Sequence, residues 1–335
     1  MGTAAYARIV SLEDLSIGYA AEHVLLKGIN LSVMPGEMVA LVGRNGTGKS
    51  TLLRSILGFI PVLSGVCRLF GTPVHTHDLR SRARTVSYVS SHVPAMPSMT
   101  VRELVSLGRM PHTGWTGRQH EKDLEAVRQA LWELRMDEFA GRKVDRLSDG
   151  ERHRAMIARA LAQDTPLMVL DEPTAFLDIP HKYELIRILA RLRDSGRSIV
   201  FSTHDLETAW LWADKFWVIH RGEIQEGAPE DLAIRGVFDD LFTGSEITFD
   251  HSRRRFIPRF TPRGSVRLEG EEGVALNWTR TALDRLGFGI GRDAGNFIIR
   301  VTGQGAGISW HVVRDQTEKS FESIYSLARF LIQAE

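Results

Sequence analysis

Gly43-Arg-Asn-Gly-Thr-Gly-Lys-Ser50 matches G-x-x-x-x-G-K-[ST] at every fixed position. The run Glu37-Met-Val-Ala-Leu-Val42 before it is apolar, and Thr51 to Leu57 after it reads as a helix stopped by Gly58. A strand, a glycine loop and a helix are the start of an α/β fold. Gly46 and Gly48 let the backbone curl so that successive N–H groups face phosphate oxygens. The helix that follows adds the positive end of its dipole. Lys49 supplies a point charge between the β- and γ-phosphates of a nucleotide. Ser50 offers a hydroxyl to Mg²⁺, and Thr51 reaches the α-phosphate. Gly43 and Asn45 complete the loop. A plain glycine turn would not require Lys49 and Ser50 directly after its last glycine.

A metal held by Ser50 needs a carboxylate. Leu167-Met-Val-Leu170 is a continuous apolar run, as expected of a parallel strand buried on both faces, and it ends in Asp171-Glu172. Sites in such sheets lie outside the carboxyl ends of the strands, which brings Asp171 near Ser50 as a Mg²⁺ ligand, mostly through water. Glu172 then polarises the attacking water as general base.

Around this centre the pattern predicts half-buried antiparallel strands at Ile9 to Tyr19 and Val24 to Val33, and two short strands at Val66-Phe70 and Thr85-Val89. From His92 to Thr165 it turns helical. Thr100 and Glu103 form a capping box. Leu124, Val127, Leu131 and Leu134 share one face of a helix from His120 to Met136, and a third helix spans Glu151 to Leu161. Strands return at Leu167-Leu170, Ser198-Ser202 and Lys215-Ile219, with a helix at His181 to Leu192. After about residue 240 the character changes. Ser252-Arg-Arg-Arg255 sits between two short apolar runs and reads as a solvated hairpin tip, and Pro258, Pro262 and Gly264 mark a linker. From Val266 onward the expectation is a small α+β module. Its order is strand, helix (Val274 to Leu286), strand (Asn296 to Val301), strand (Ile308 to Arg314) and helix (Lys319 to Ile332).

The whole chain has 335 residues, 43% apolar and 25% charged, an ordinary globular composition of about two domains. Lys+Arg is 42 and Asp+Glu is 41, a net charge of +1 that gives no support to nucleic acid as a partner. A single cysteine, Cys67, excludes an internal disulfide and fits a reducing compartment. No run of 18 apolar residues is present, and Met1 to Tyr6 carries neither a secretory core nor a myristoylation pattern. These readings point to the cytoplasm.

Five further motifs make a family resemblance specific. Leu147-Ser-Asp-Gly-Glu151, 24 residues before Asp171, resembles the signature motif of ATP-binding-cassette (ABC) ATPases. Asp171-Glu-Pro-Thr174 resembles the family's Walker B extension, Ala175-Phe-Leu-Asp178 its D-loop, and Ser202-Thr-His204-Asp its switch histidine. Tyr19 resembles the aromatic that stacks on adenine. The motifs come in the family's order over residues 7 to about 235. The resemblance implies an α/β P-loop NTPase fold, an ABC ATPase core with an antiparallel β subdomain and a helical subdomain, followed here by the small C-terminal α+β domain. The implied boundaries are residues 1–240 for the nucleotide-binding domain, with the helical subdomain at about 92–165, then 241–264 for hairpin and linker and 265–335 for the module. It also implies a homodimer in which each ATP lies between the Lys49 loop of one copy and Ser148 and Gly150 of the other. His204 would bond the γ-phosphate and hold Glu172 in place.

Two positions depart from the family pattern. Asp149 stands where the signature usually has Gly, so it is expected to point away from ATP or to cap the helix beginning near Glu151. Ser91 stands where a glutamine normally links the helical insert to the core, with His92 as the neighbour that reaches instead. The stretch Thr100-Val-Arg-Glu-Leu-Val-Ser-Leu-Gly-Arg-Met-Pro-His112 resembles the ATPases of importers for iron-siderophore, haem and cobalamin. That resemblance implies integral-membrane permease subunits as partners, a periplasmic or lipoprotein binding protein acting indirectly, and a peripheral place on the cytoplasmic face of the membrane. Two alternatives stay open: a soluble ABC ATPase not coupled to transport, and a regulatory subunit with weakened hydrolysis.

Overall fold

A computed structural model describes residues 8–20, 22–92, 98–114, 117–175, 177–251, 254–258, 263–291, 297–303, 305–314 and 317–334. The chain divides into two compact units, Met1–Thr243 with Phe249–Phe256, and Gly244–Thr248 with Ile257–Glu335.

In the first unit β1 (Val10–Ala20) and β2 (His23–Val33) form a long hairpin, followed by β3 (Met38–Gly43) and α1 (Lys49–Ile56). Then come β4 (Ser64–Leu69), β5 (Thr72–Pro73), α2 (Leu79–Thr85) and β6 (Val86–Val89). A helical stretch follows, α3 (Val101–Ser106), α4 (Glu121–Glu133) and α5 (Asp149–Ala162). The chain returns to the sheet through β7 (Leu167–Asp171), α6 (Ile179–Asp194), β8 (Ser198–Thr203), α7 (Leu206–Trp212), β9 (Lys215–His220) and β10 (Glu223–Gly227). The central sheet runs β10-β9-β3-β8-β7-β6, parallel except for β10.

Every residue of β3, β7 and β8 is buried, which is why β3 and β7 read as apolar runs and β8 carries Ile199-Val-Phe201 at its centre. Alternation within β3 separates two cores. Met38, Ala40 and Val42 face the core shared with α3, α4 and α5, whereas Val39 and Leu41 face α1 and the antiparallel sheet β2-β1-β4-β5. The helices start where the sequence places their caps. The Thr100–Glu103 capping box is formed, and α5 begins at Asp149, two residues earlier than the periodicity suggests. Leu124 is 41% exposed, so the apolar face of α4 is carried by Val127, Ala130 and Leu131.

Past β10 the first unit adds α8 (Pro229–Ile234) and α9 (Val237–Leu241), and β11 (Ile247–Asp250) pairs with β12 (Arg255–Pro258) as a hairpin. Ser252 and Arg253 of the predicted basic tip, and Pro262 of the predicted linker, lie outside the described residues, as does Asn296.

The second unit holds β13 (Gly264–Gly270), α10 (Val274–Leu286), β14 (Phe288–Ile290), β15 (Phe297–Thr302), β16 (Ser309–Arg314), β17 (Thr317–Phe321) and α11 (Ile324–Gln333). Its sheet order is β14-β13-β15-β16-β17, with β13 parallel to both neighbours and the rest antiparallel. Val266, Leu276, Leu283, Phe297, Ile299 and Trp310 build its own core. Two strands here escape the periodicity reading. Lys319 belongs to β17, an exposed edge strand with almost no apolar alternation, and the last helix starts at Ile324 behind its cap Ser323. β14 is three residues long and follows directly on Gly287, whose left-handed φ of 81° ends α10.

No helix among the described residues is long and apolar enough to cross a membrane.

Candidate nucleotide site

The glycine loop turns as its composition requires. Gly46 has φ 79°, and Gly48, at the N-cap of α1, has φ 101°, a region closed to most side chains. Lys49 is the first residue of α1 and is 7% exposed. Its Nζ donates to the carbonyls of Gly43 (2.8 Å) and Arg44 (3.2 Å), so the ammonium lies across the loop. Burial pulls its pKa below the ordinary lysine value, opposed by the charges of Glu172 and Asp171. The cation from the loop and the two acids from β7 therefore occupy one electrostatic neighbourhood. Thr51 is buried and Ser50 half-buried. A side chain on Gly48 would first meet Leu25 and Leu26, which sets β2 beside the loop. Tyr19, near the tip of the same β1–β2 hairpin, is 75% exposed, with its ring face free to stack on a base.

The carboxylates are held by a residue the motif reading passed over. Ser202, the last but one residue of β8, donates from Oγ to Asp171 Oδ1 (2.6 Å) and accepts from the backbone N–H of Glu172 (2.9 Å). The parallel register explains this, because Asp171 and Ser202 are direct neighbours across β7 and β8. The signal was present in Ser202-Thr-His204, where a hydroxyl ends a buried strand beside another strand ending in Asp. Asp171 is 1% exposed, and its second oxygen, Oδ2, is buried without a hydrogen-bond partner among the described residues. A buried carboxylate oxygen left unpaired is costly, and a hydrated divalent cation satisfies it. Asp171 with the Ser50 hydroxyl thus fits Mg²⁺.

Glu172 has φ 52°, a conformation that costs a non-glycine residue about 1–3 kcal/mol and persists only when its surroundings enforce it. Two contacts do so here, the N–H bond to Ser202 and the Nδ1 of His204 lying 3.1 Å from Glu172 Oε2. With Nδ1–H donating to the carboxylate, the other ring nitrogen of His204 remains for a further partner.

Ser148 is the N-cap of α5 and forms a full capping box with Glu151. The Ser148 N–H donates to Glu151 Oε2 (2.8 Å), and Ser148 Oγ accepts from the Glu151 N–H (3.3 Å). Gly150 lies in the first turn, so its N–H is one of the helix donors left unpaired by geometry. Of the two roles expected of Asp149, capping is not observed. The cap belongs to Ser148, and Asp149 is the first helical residue, with its exposed carboxylate 3.2 Å from Arg152 Nη1. Asp149→Gly is expected to leave ATP turnover within about twofold while lowering stability by at most ~1 kcal/mol, through the lost Arg152 pair and N-terminal charge with a small helix-propensity difference. Steady-state kinetics with thermal melts checks this, and tighter ATP-dependent association of Asp149→Gly would show instead that the carboxylate opposes the nucleotide. Ser91 is half-buried, and the exposed His92 donates its backbone N–H to Ser90 Oγ (3.3 Å).

Comparison with known proteins agrees with this geometry. A family profile described as ABC transporter matches residues 26–175, and one described as iron ABC transporter C-terminal domain matches residues 263–332. The achromobactin transport ATP-binding protein of Dickeya dadantii is 36% identical over 235 residues, 70% of this chain and 87% of that protein. A petrobactin import ATP-binding protein of Bacillus anthracis is 35% identical over 267 residues, 77% of this chain and 96% of its own. Among solved structures, an ATP-binding subunit of an ABC transporter superposes with a TM-score of 0.61 at 27% identity, covering 68% of this chain and 92% of that one. A bacterial ABC transporter cassette solved as a dimer gives 0.60 at 26% identity, covering 65% and 98%. With the Lys49 loop, the Asp171–Ser202–Glu172–His204 cluster and the Ser148 helix cap all in place, the chain belongs to the ATP-binding proteins of ABC transporters and is the ATPase motor subunit of an importer.

Proposed function

We propose that this subunit powers uptake of a chelated metal or related large chelate, of the iron-siderophore, haem or cobalamin type, through permease subunits in the membrane. The observation that carries the reading is the likeness, over 221 to 272 residues, to ATP-binding proteins named for siderophore transport and for hydroxamate and cobalamin import. In this reading residues 1–240 are the nucleotide-binding domain, 92–165 its helical subdomain, 241–264 a hairpin and linker, and 265–335 an appended module. The subunit sits on the cytoplasmic face of the membrane, and a binding protein outside delivers the cargo.

Two copies associate head to tail. Gly43, Asn45, Gly46, Gly48, Lys49, Ser50 and Thr51 of one copy hold the phosphates, Tyr19 the base, and Ser148 and Gly150 of the other copy close the site. Ser50 and Asp171 hold Mg²⁺, which neutralises charge on the phosphates. Glu172 accepts a proton from the attacking water. His204 holds Glu172 in its strained conformation and meets the γ-phosphate with its second nitrogen. Closure of the dimer with ATP and its reopening after hydrolysis drive the permease. The test is reconstitution in liposomes with its permease subunits. ATP turnover is expected to rise with ferric siderophore and its binding protein outside, and turnover indifferent to every chelate would overturn the reading.

A further inference from the structure

β6 is the edge of the central sheet and, among the described residues, pairs with β7 alone. Its outward carbonyls, on alternate residues, need partners from elsewhere. Helix α5 supplies them. Gln163, the C-cap of α5, donates from Nε2 to Val86 O (3.0 Å) and to Ala83 O at the end of α2 (2.6 Å). Arg159, one turn earlier, donates from Nη2 to Tyr88 O (3.4 Å). Two residues of strand span about 6.6 Å and four residues of helix about 6 Å, so the two contacts match in spacing. The later helix residue meets the earlier strand residue, hence α5 runs antiparallel to β6. Its N-terminus, with Ser148, therefore points toward the carboxyl end of the sheet, where the Lys49 loop lies.

The C-terminal end of α5 also receives the 107–112 segment. Arg109 is 7% exposed and donates to Ala162 O (2.7 Å) and to Asp123 Oδ1 (2.9 Å). His112 Nε2 lies 2.8 Å from Gln163 O. A Cβ on Gly108 would stand 2.2 Å from Arg159 O, so only glycine lets this turn rest on α5. Core strand, signature helix and the Leu107-Gly-Arg-Met-Pro-His112 turn thus meet at one residue, Gln163, whose side chain faces the core and whose carbonyl faces the turn.

We propose that Gln163, with Arg159 beside it, is a positioning residue for the reaction: it fixes the register of α5 on β6, and through that rigid helix the place of Ser148. It does from the far end of α5 the linking for which Ser91, in the glutamine position of the family pattern, is too short. This rests on the assignment of Ser148 to a partner copy's nucleotide.

The test uses Gln163→Glu, which keeps side-chain size but sets carboxylate oxygens against two carbonyls. In the full chain this change is expected to lower turnover at least ~10-fold, because unpaired buried groups then displace the helix. In a Glu172→Gln background it is expected to weaken ATP-dependent association by about the same factor, with ATP affinity of the monomer changed less than about twofold. Gln163→Lys, which returns N–H donors, restores at least half of the association. Unchanged association in folded Gln163→Glu overturns the proposal, and so does a parallel loss of monomer ATP affinity. If Gln163→Glu does not fold, Gln163→Asn, shorter by one methylene, must show the same split, and parental association there overturns the proposal. If Glu172→Gln itself fails to associate with ATP, the composite-site reading falls and this inference with it. Association that ignores only position 163 removes the latch alone.

Discussion

Lys49→Ala is expected to reduce ATP affinity by about 10²-fold or more, corresponding to the loss of one or two charge-assisted hydrogen bonds. The side chain is buried and already spans the loop between the carbonyls of Gly43 and Arg44, so little further ordering is needed when it turns to phosphate. Its charge also offsets Asp171 and Glu172, whose carboxylates oppose the lowering of its pKa by burial. With alanine in its place, a polyphosphate would meet two carboxylates without the buried ammonium that offsets them. Calorimetric titration of the purified chain measures the loss directly. Near-parental affinity in Lys49→Ala would overturn the assignment of the phosphate loop.

Glu172→Gln is expected to bind ATP as the parent does and to hydrolyse it at least ~10²-fold more slowly, the lower range for removal of a general base. The amide keeps the size of the side chain and an oxygen for the Nδ1–H of His204, while the backbone bond to Ser202 is untouched. What is lost is the capacity to take a proton from water. Phosphate release under saturating ATP reads this out, and parental turnover would show that the proton goes elsewhere. His204→Ala follows from the same geometry with a smaller effect, since it removes one of the two contacts that hold Glu172 at positive φ.

Much of this architecture was legible in the residues. The Lys49 loop and the Asp171 strand carry their chemistry in local patterns, a glycine turn at a strand end and an apolar run closed by acids. The Thr100–Glu103 capping box was equally plain, whereas the Ser148–Glu151 box has the same spacing and was passed over. The features that escaped depend on neighbours distant in sequence. Ser202 matters because parallel register sets it beside Asp171. Arg109 was legible only as part of the Thr100 to His112 stretch and Gln163 was not singled out, because only packing brings one to the end of α5 and the other to the edge of β6. β17 escaped because an exposed edge strand has no buried face to impose alternation. Asp149 was expected either to point away from ATP or to cap α5, and the cap falls instead to the serine before it.

The central claim is that two copies of this chain complete each other's nucleotide sites. Sedimentation velocity of Glu172→Gln with and without Mg-ATP tests it most directly, with Ser148→Arg added in the same background. The account predicts association that requires ATP in Glu172→Gln. It also predicts loss of that association in Ser148→Arg/Glu172→Gln, although each copy still binds nucleotide through its own Lys49 loop. Glu172→Gln that saturates with ATP and shows no ATP-dependent association, or association that survives Ser148→Arg, would contradict it.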